Sequence, residues 1–125
     1  MVIGNQENFA FVLGKQKNNE QRVIDIWVKN TLLTDFDNLV HIPQFIESIH
    51  QELEIINSRK IPKRHSALNW GPTTDDFVGE FTVRNFEDIQ FHCKNTNGKK
   101  ITLNIKINEL VLNFEHCINE LEKTT

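Results

Sequence analysis

The chain reads as a single α+β domain covering residues 1–125: an antiparallel sheet of about five to six strands with two amphipathic helices packed on one face. Three observations predict this. Apolar residues alternate at period two in several short segments. Two other segments switch to steps of three and four, the stripe of a surface helix. The links between strands are short and polar, which demands antiparallel hairpins. The order is β-β-(β)-α-β-β-β-α.

The first strand is "ENFAFVLG", with Phe9, Phe11 and Leu13 on one face. The polar, Asn-rich "KQKNNEQ" forms the hairpin loop to "RVIDIWVKN". There Ile24, Ile26 and Val28 share one face, and Val23, Asp25 and Trp27 the other. Trp27 therefore either covers the far side of the sheet or stands exposed for contact. Thr31 to Thr34 is a candidate short strand. Ile42, Phe45, Ile46, Ile49, Leu53 and Ile56 mark the first helix, with Pro43 in its first turn. Glu47, His50, Gln51 and Glu54 take its outer face, and Pro62 stops it from running on.

The stretch "NWGPTTDD", Asn69 to Asp76, has no period, and its Gly71-Pro72 bend reads as a link between two halves. Three strands follow. Phe77, Gly79, Phe81 and Val83 share a face, as do Ile89, Phe91 and Cys93, and Ile101, Leu103, Ile105 and Ile107. Asn97-Gly98 between the last two is a hairpin signal, since both residues tolerate positive φ. The second helix carries Leu110, Val111, Phe114, Cys117, Ile118 and Leu121, with Asn108 as its expected N-cap.

No apolar run approaches the roughly 20 residues that cross a membrane, and "MVIGNQENFAF" lacks the parts of a signal peptide. Two cysteines make a poor disulfide framework, so a cytoplasmic protein with free thiols is expected. The net charge is −3, yet "SRKIPKRH" holds Arg59, Lys60, Lys63 and Arg64; with those four removed, the remainder carries −7. A mildly acidic chain with one basic cluster lacks the broad basic face of a nucleic-acid binder and suits a basic protein partner.

Catalytic chemistry finds little support. His92-Cys93 and His116-Cys117 invite a zinc site, but neighbouring strand residues face opposite ways, and both cysteines fall on apolar faces. His41, His50 and His65 have no triad spacing, no phosphate loop is present, and Tyr is absent. No metal or cofactor is expected. Asp35 and Asp37, and Asp75 and Asp76, read as turn and capping residues or as parts of an acidic recognition patch. Trp70 is either a plug over the core or an interface anchor.

The stretch "MVIGNQENFAFVLG" followed by "IDIWVKNTLLTDFDN" resembles small immunity proteins of bacterial polymorphic toxin systems, including contact-dependent growth inhibition. Several such families open on an I-G-[ND]-x-x-x-F-A strand and continue to a second strand with an aromatic residue, a short turn and a D-x-D-like segment. Here Lys29-Asn30 stands where an Asn-Gly turn is common. The resemblance implies a non-catalytic inhibitor. It would bind a basic cognate toxin C-terminal domain in the cytoplasm, a nuclease in many such systems, without contacting nucleic acid or membrane itself. An acidic, nucleic-acid-mimicking face is the implied tool, with Asp35, Asp37, Glu47, Glu54, Trp70, Asp75 and Asp76 as the implied toxin-binding residues. Two other readings compete: a small ligand-binding or enzymatic domain with a pocket between sheet and helices, and a regulatory module that pairs through an exposed sheet edge.

Overall fold

The computed structural model describes residues 1–34, 37–70 and 76–123. The fold is α+β, with eight strands and two helices among these residues. The strands are β1 (Val2–Gly4), β2 (Phe9–Gln16), β3 (Gln21–Val28), β4 (Thr31–Leu32), β5 (Leu39–His41), β6 (Phe77–Val83), β7 (Asp88–Asn95) and β8 (Lys100–Lys106). The helices are α1 (Ile42–Ser58) and α2 (Ile107–Glu122).

The strands divide into two antiparallel sheets. In the first, the order is β1-β2-β3-β4, with β5 pairing the start of β3 while β4 pairs its end; in the second it is β6-β7-β8. Local chemistry sets each hairpin. The Asn18 side chain receives the backbone N–H groups of Glu20 and Gln21 at 2.9 and 3.0 Å, which closes the β2–β3 turn. Lys29 and Asn30 both have positive φ, 49° and 62°. A two-residue turn matched to strand twist requires this, so the β3–β4 turn forms without the more usual Asn-Gly pair.

The period-two pattern places Leu13 opposite Ile24, Phe11 opposite Ile26 and Phe9 opposite Val28, all six buried. In the second sheet, Phe81, Phe91 and Leu103 form one inward row, and Val83, Ile89 and Ile105 another. Both sheets and both helices share one hydrophobic core.

Groups from outside the second sheet meet carbonyls on both of its edge strands. The Gly79 carbonyl of β6 receives the Ala67 N–H at 3.0 Å. The Thr102 carbonyl of β8 receives the Lys29 ammonium at 3.1 Å. Two short strands, β1 and β5, have no alternation long enough to read. The α2 N-cap is Lys106 and not Asn108: β8 passes directly into the helix, and the Ile107 N–H is held by the Glu87 carbonyl at 2.8 Å.

α1 keeps Pro43 in its first turn and ends where Arg59 turns left-handed, its N–H donating to the Ile56 carbonyl. The chain then runs through residues 60–70. Trp70, at the end of this stretch, lies in the core. It stacks on Phe11 with centroids 6.1 Å apart and meets Phe45 and Phe114 edge-on at 5.3 and 5.6 Å.

Candidate partner-binding surface

α1 and α2 lie side by side. Each turns its apolar stripe to the core. Between them on the solvent side runs an open groove of about 410 Å³, lined on α1 by His50, Glu54 and Asn57 and on α2 by Glu115, Asn119 and Glu122. The charge is one-sided. Neither helix contains a Lys or Arg, whereas together they hold Glu47, Glu52, Glu54, Glu109, Glu115, Glu120 and Glu122. Lys123, just past α2, pairs with Glu120 at 3.0 Å. Among the described residues, Glu47, Glu54, Glu109 and Glu115 join no ion pair.

The implied toxin-binding residues separate in space. Glu47 and Glu54 are exposed on α1, and Glu54 lines the groove. Asp37 is exposed before β5, and its carboxylate receives the Leu39 N–H at 3.3 Å. Two assignments are overturned. Trp70 is only 4% exposed, because its indole fills the space between Phe11, Phe45 and Phe114, so it is a core plug. Asp76 is fully buried, with one carboxylate oxygen receiving the Asp37 N–H at 3.3 Å. A buried carboxylate needs such donors and cannot meet a partner. Asp35 and Asp75 lie outside the described residues.

Three groove residues, Glu115, Asn119 and Glu122, escape a reading that treats charges only where they cluster locally. Their signal is negative: no cation interrupts "INELVLNFEHCINELE". Glu52 is also unforeseen. It is 2% exposed, three residues after Ile49 and four before Ile56, which puts it on the inner face of α1. Its two oxygens receive the Leu68 N–H at 2.6 Å and meet His65 Nε2 at 2.5 Å. A carboxylate on the helix thus pins the crossing segment.

The two His-Cys pairs divide as strand and helix geometry requires. His92 meets Thr102 Oγ1 at 3.1 Å on the outer face, while Cys93 and Cys117 are buried. Burial pushes the Cys93 thiol up to about 11 and Cys117 further in the same direction, so both stay protonated and poorly nucleophilic. On the surface, the Lys106 ammonium 2.8 Å from Asp88 holds that carboxyl below its ordinary value.

A second groove, of about 310 Å³, opens on the second sheet, lined by Glu80, His92, Cys93, Lys94, Lys100 and Thr102 among others. No helix in the described residues is long and apolar enough to cross a membrane.

No family model matches this chain, and no curated protein or solved structure matches it.

An acidic groove of this kind can steer a basic protein surface into contact, since an excess of charge of one sign raises encounter rates at moderate salt. Its floor, Leu53 and Ile118, offers apolar contact once water is displaced.

Proposed function

We propose that this protein is a cytoplasmic immunity protein that binds and neutralises the basic C-terminal domain of a cognate toxin. The observation that carries this reading is the groove between α1 and α2, walled by Glu54, Glu115 and Glu122 on helices that hold no Lys or Arg. The inhibitor is non-catalytic, and the toxin is a nuclease whose phosphate-binding surface the carboxylates occupy. Glu47 and Glu54 keep the role that the resemblance implies for them. Glu115, Asn119 and Glu122 join them, and Trp70 supports the surface from within.

The enzymatic alternative has less to draw on. The groove on the second sheet is lined by both His92 and Cys93, but as neighbours on β7 they face opposite ways, and the thiol is buried and held protonated.

The test is co-purification with any toxin domain found encoded beside this gene, together with growth rescue of cells expressing that domain. A complex at sub-micromolar concentration and restored growth are expected. Absence of a complex at micromolar concentration, or rescue unchanged by Glu54→Lys with Glu115→Lys, overturns the proposal.

A further inference from the structure

The segment after α1 presents the opposite charge. Lys60, Lys63 and Arg64 are exposed and Arg59 is half-buried. Among the described residues, none of the four has an acid within ion-pair distance. The acids in the nearby β6–β7 turn are engaged elsewhere, Glu87 and Asp88 with Lys106 at 3.9 and 2.8 Å. Four uncompensated cations within six residues therefore remain on a chain of net charge −3.

Beside Arg59 stands Phe86, 76% exposed at the tip of the same turn. Its position is held from several directions. The Arg59 guanidinium lies over its ring, 4.3 Å from the centroid, and Arg59 Nε donates to the Phe86 carbonyl at 3.2 Å. A second guanidinium nitrogen donates to the Asn57 carbonyl at 3.0 Å. Asn85 shapes the turn, its side-chain oxygen receiving the Glu87 and Asp88 N–H groups at 2.8 and 2.9 Å.

The backbone of the basic segment is tied at both ends. Arg59, Arg64 and Leu68 all adopt left-handed backbone, at φ 57°, 62° and 59°. Such conformations are costly for residues with a Cβ and persist where surroundings enforce them. Arg59 is held by its cap N–H on the Ile56 carbonyl, and the end of the segment by the contacts of buried Glu52 with His65 and Leu68. A large exposed apolar ring stacked on Arg59, with three more exposed cations within the next five residues of the chain, has the composition of an interface centre, where aromatics and Arg dominate.

We infer that Phe86, Arg59, Lys60, Lys63 and Arg64 form a preorganised docking surface for a short acidic segment of a partner protein that carries an apolar or aromatic anchor. Charge complementarity selects an acidic occupant. A protein segment fits better than a nucleic acid, because the cationic strip is short and the rest of the chain is acidic, which repels an extended polyanion. This surface is distinct from the acidic groove and opposite to it in charge, so it stands whether or not the groove binds a toxin.

The test uses the intact protein and a short fluorescein-labelled peptide rich in Asp and Glu with one central Trp, followed by fluorescence anisotropy. Two further probes are the same peptide with Ser for Trp, and an oligothymidylate of matching length. The expected result is micromolar binding of the Trp peptide, weakened at least about tenfold by Phe86→Ala, by Lys60→Glu with Lys63→Glu, or by the Ser substitution. Unchanged circular dichroism shows that the variants remain folded. No binding of the Trp peptide at about 1 mM, affinity unchanged in both variants, or tighter binding of the oligothymidylate overturns the inference.

Discussion

Trp70 stacks on Phe11 with ring planes 19° apart and centroids 6.1 Å apart, so the end of an irregular crossing segment is packed against the middle of β2. Phe9, Phe45 and Phe114 complete this aromatic cluster, which joins the first sheet to both helices. Trp70→Ala is expected to destabilise the domain by about 3–5 kcal/mol, the usual cost of emptying a large aromatic site in a core. Trp70→Phe is expected to cost less. Urea unfolding followed by circular dichroism measures both. A Trp70→Ala loss below about 1 kcal/mol would contradict the core role.

Glu52 ties α1 to the crossing segment through His65 and Leu68. Glu52→Ala removes both acceptors and is expected to cost on the order of 1–3 kcal/mol. Glu52→Gln keeps an oxygen for the Leu68 N–H and is expected to lose less. Amide exchange at Leu68 is the local readout. It should accelerate strongly in the alanine variant while the β7 amides change only by the global loss of stability.

Gly4 at the end of β1 has φ +92°, and a Cβ there would lie 2.4 Å from the Phe9 carbonyl oxygen. That oxygen is backbone and also receives the Asn5 N–H at 3.0 Å, so it has little freedom to withdraw. Gly4→Ala is expected to cost on the order of 1–3 kcal/mol, visible as a lower thermal midpoint.

The buried thiol sets an alkaline limit. Cys93 titrates at about 11 in the folded protein against an ordinary value of 9.0. The folded state thus holds a proton that the unfolded chain gives up. Its contribution is complete below pH 9 and fades as pH rises towards 11, reaching a loss of about 2 kcal/mol near pH 10.5. Urea midpoints of wild type and Cys93→Ala, compared at pH 8 and pH 10.5, should show the steeper fall in wild type. Tyr is absent from the chain, which removes one other group that titrates in this range.

Glu54→Lys with Glu115→Lys reverses two groove charges at exposed positions. Stability is expected to change by less than about 0.5 kcal/mol. The association rate with a basic toxin domain is expected to fall about tenfold or more at low salt, and by less at high salt where screening already weakens steering. Stopped-flow fluorescence at two ionic strengths measures this.

Much of the fold is legible in the residues alone. Alternation such as Ile101, Leu103 and Ile105, and the helical positions Phe45, Ile49, Leu53 and Ile56, bury in the structure as their periods require, because strand and helix geometry are local. Of the acidic helix face, Glu47 and Glu54 on α1 are read from the sequence, whereas Glu115 and Glu122 on α2 are not. β1 and β5 are not, since three residues carry no period and pair only where β2 and β3 provide an edge.

By itself the sequence determined the α+β class, the identity of both helices and of the longer strands, and the charge of each segment, all properties of neighbours along the chain. Only the tertiary structure decided that the strands form two sheets, that Trp70 and Asp76 lie inside, and that Glu54 faces Glu115 and Glu122 across one groove. Those outcomes depend on which distant segments share the interior. The crossing that ends in "NW" is drawn inward because its indole completes a ring of phenylalanines from β2, α1 and α2, and burial of that surface outweighs the cost of ordering the link.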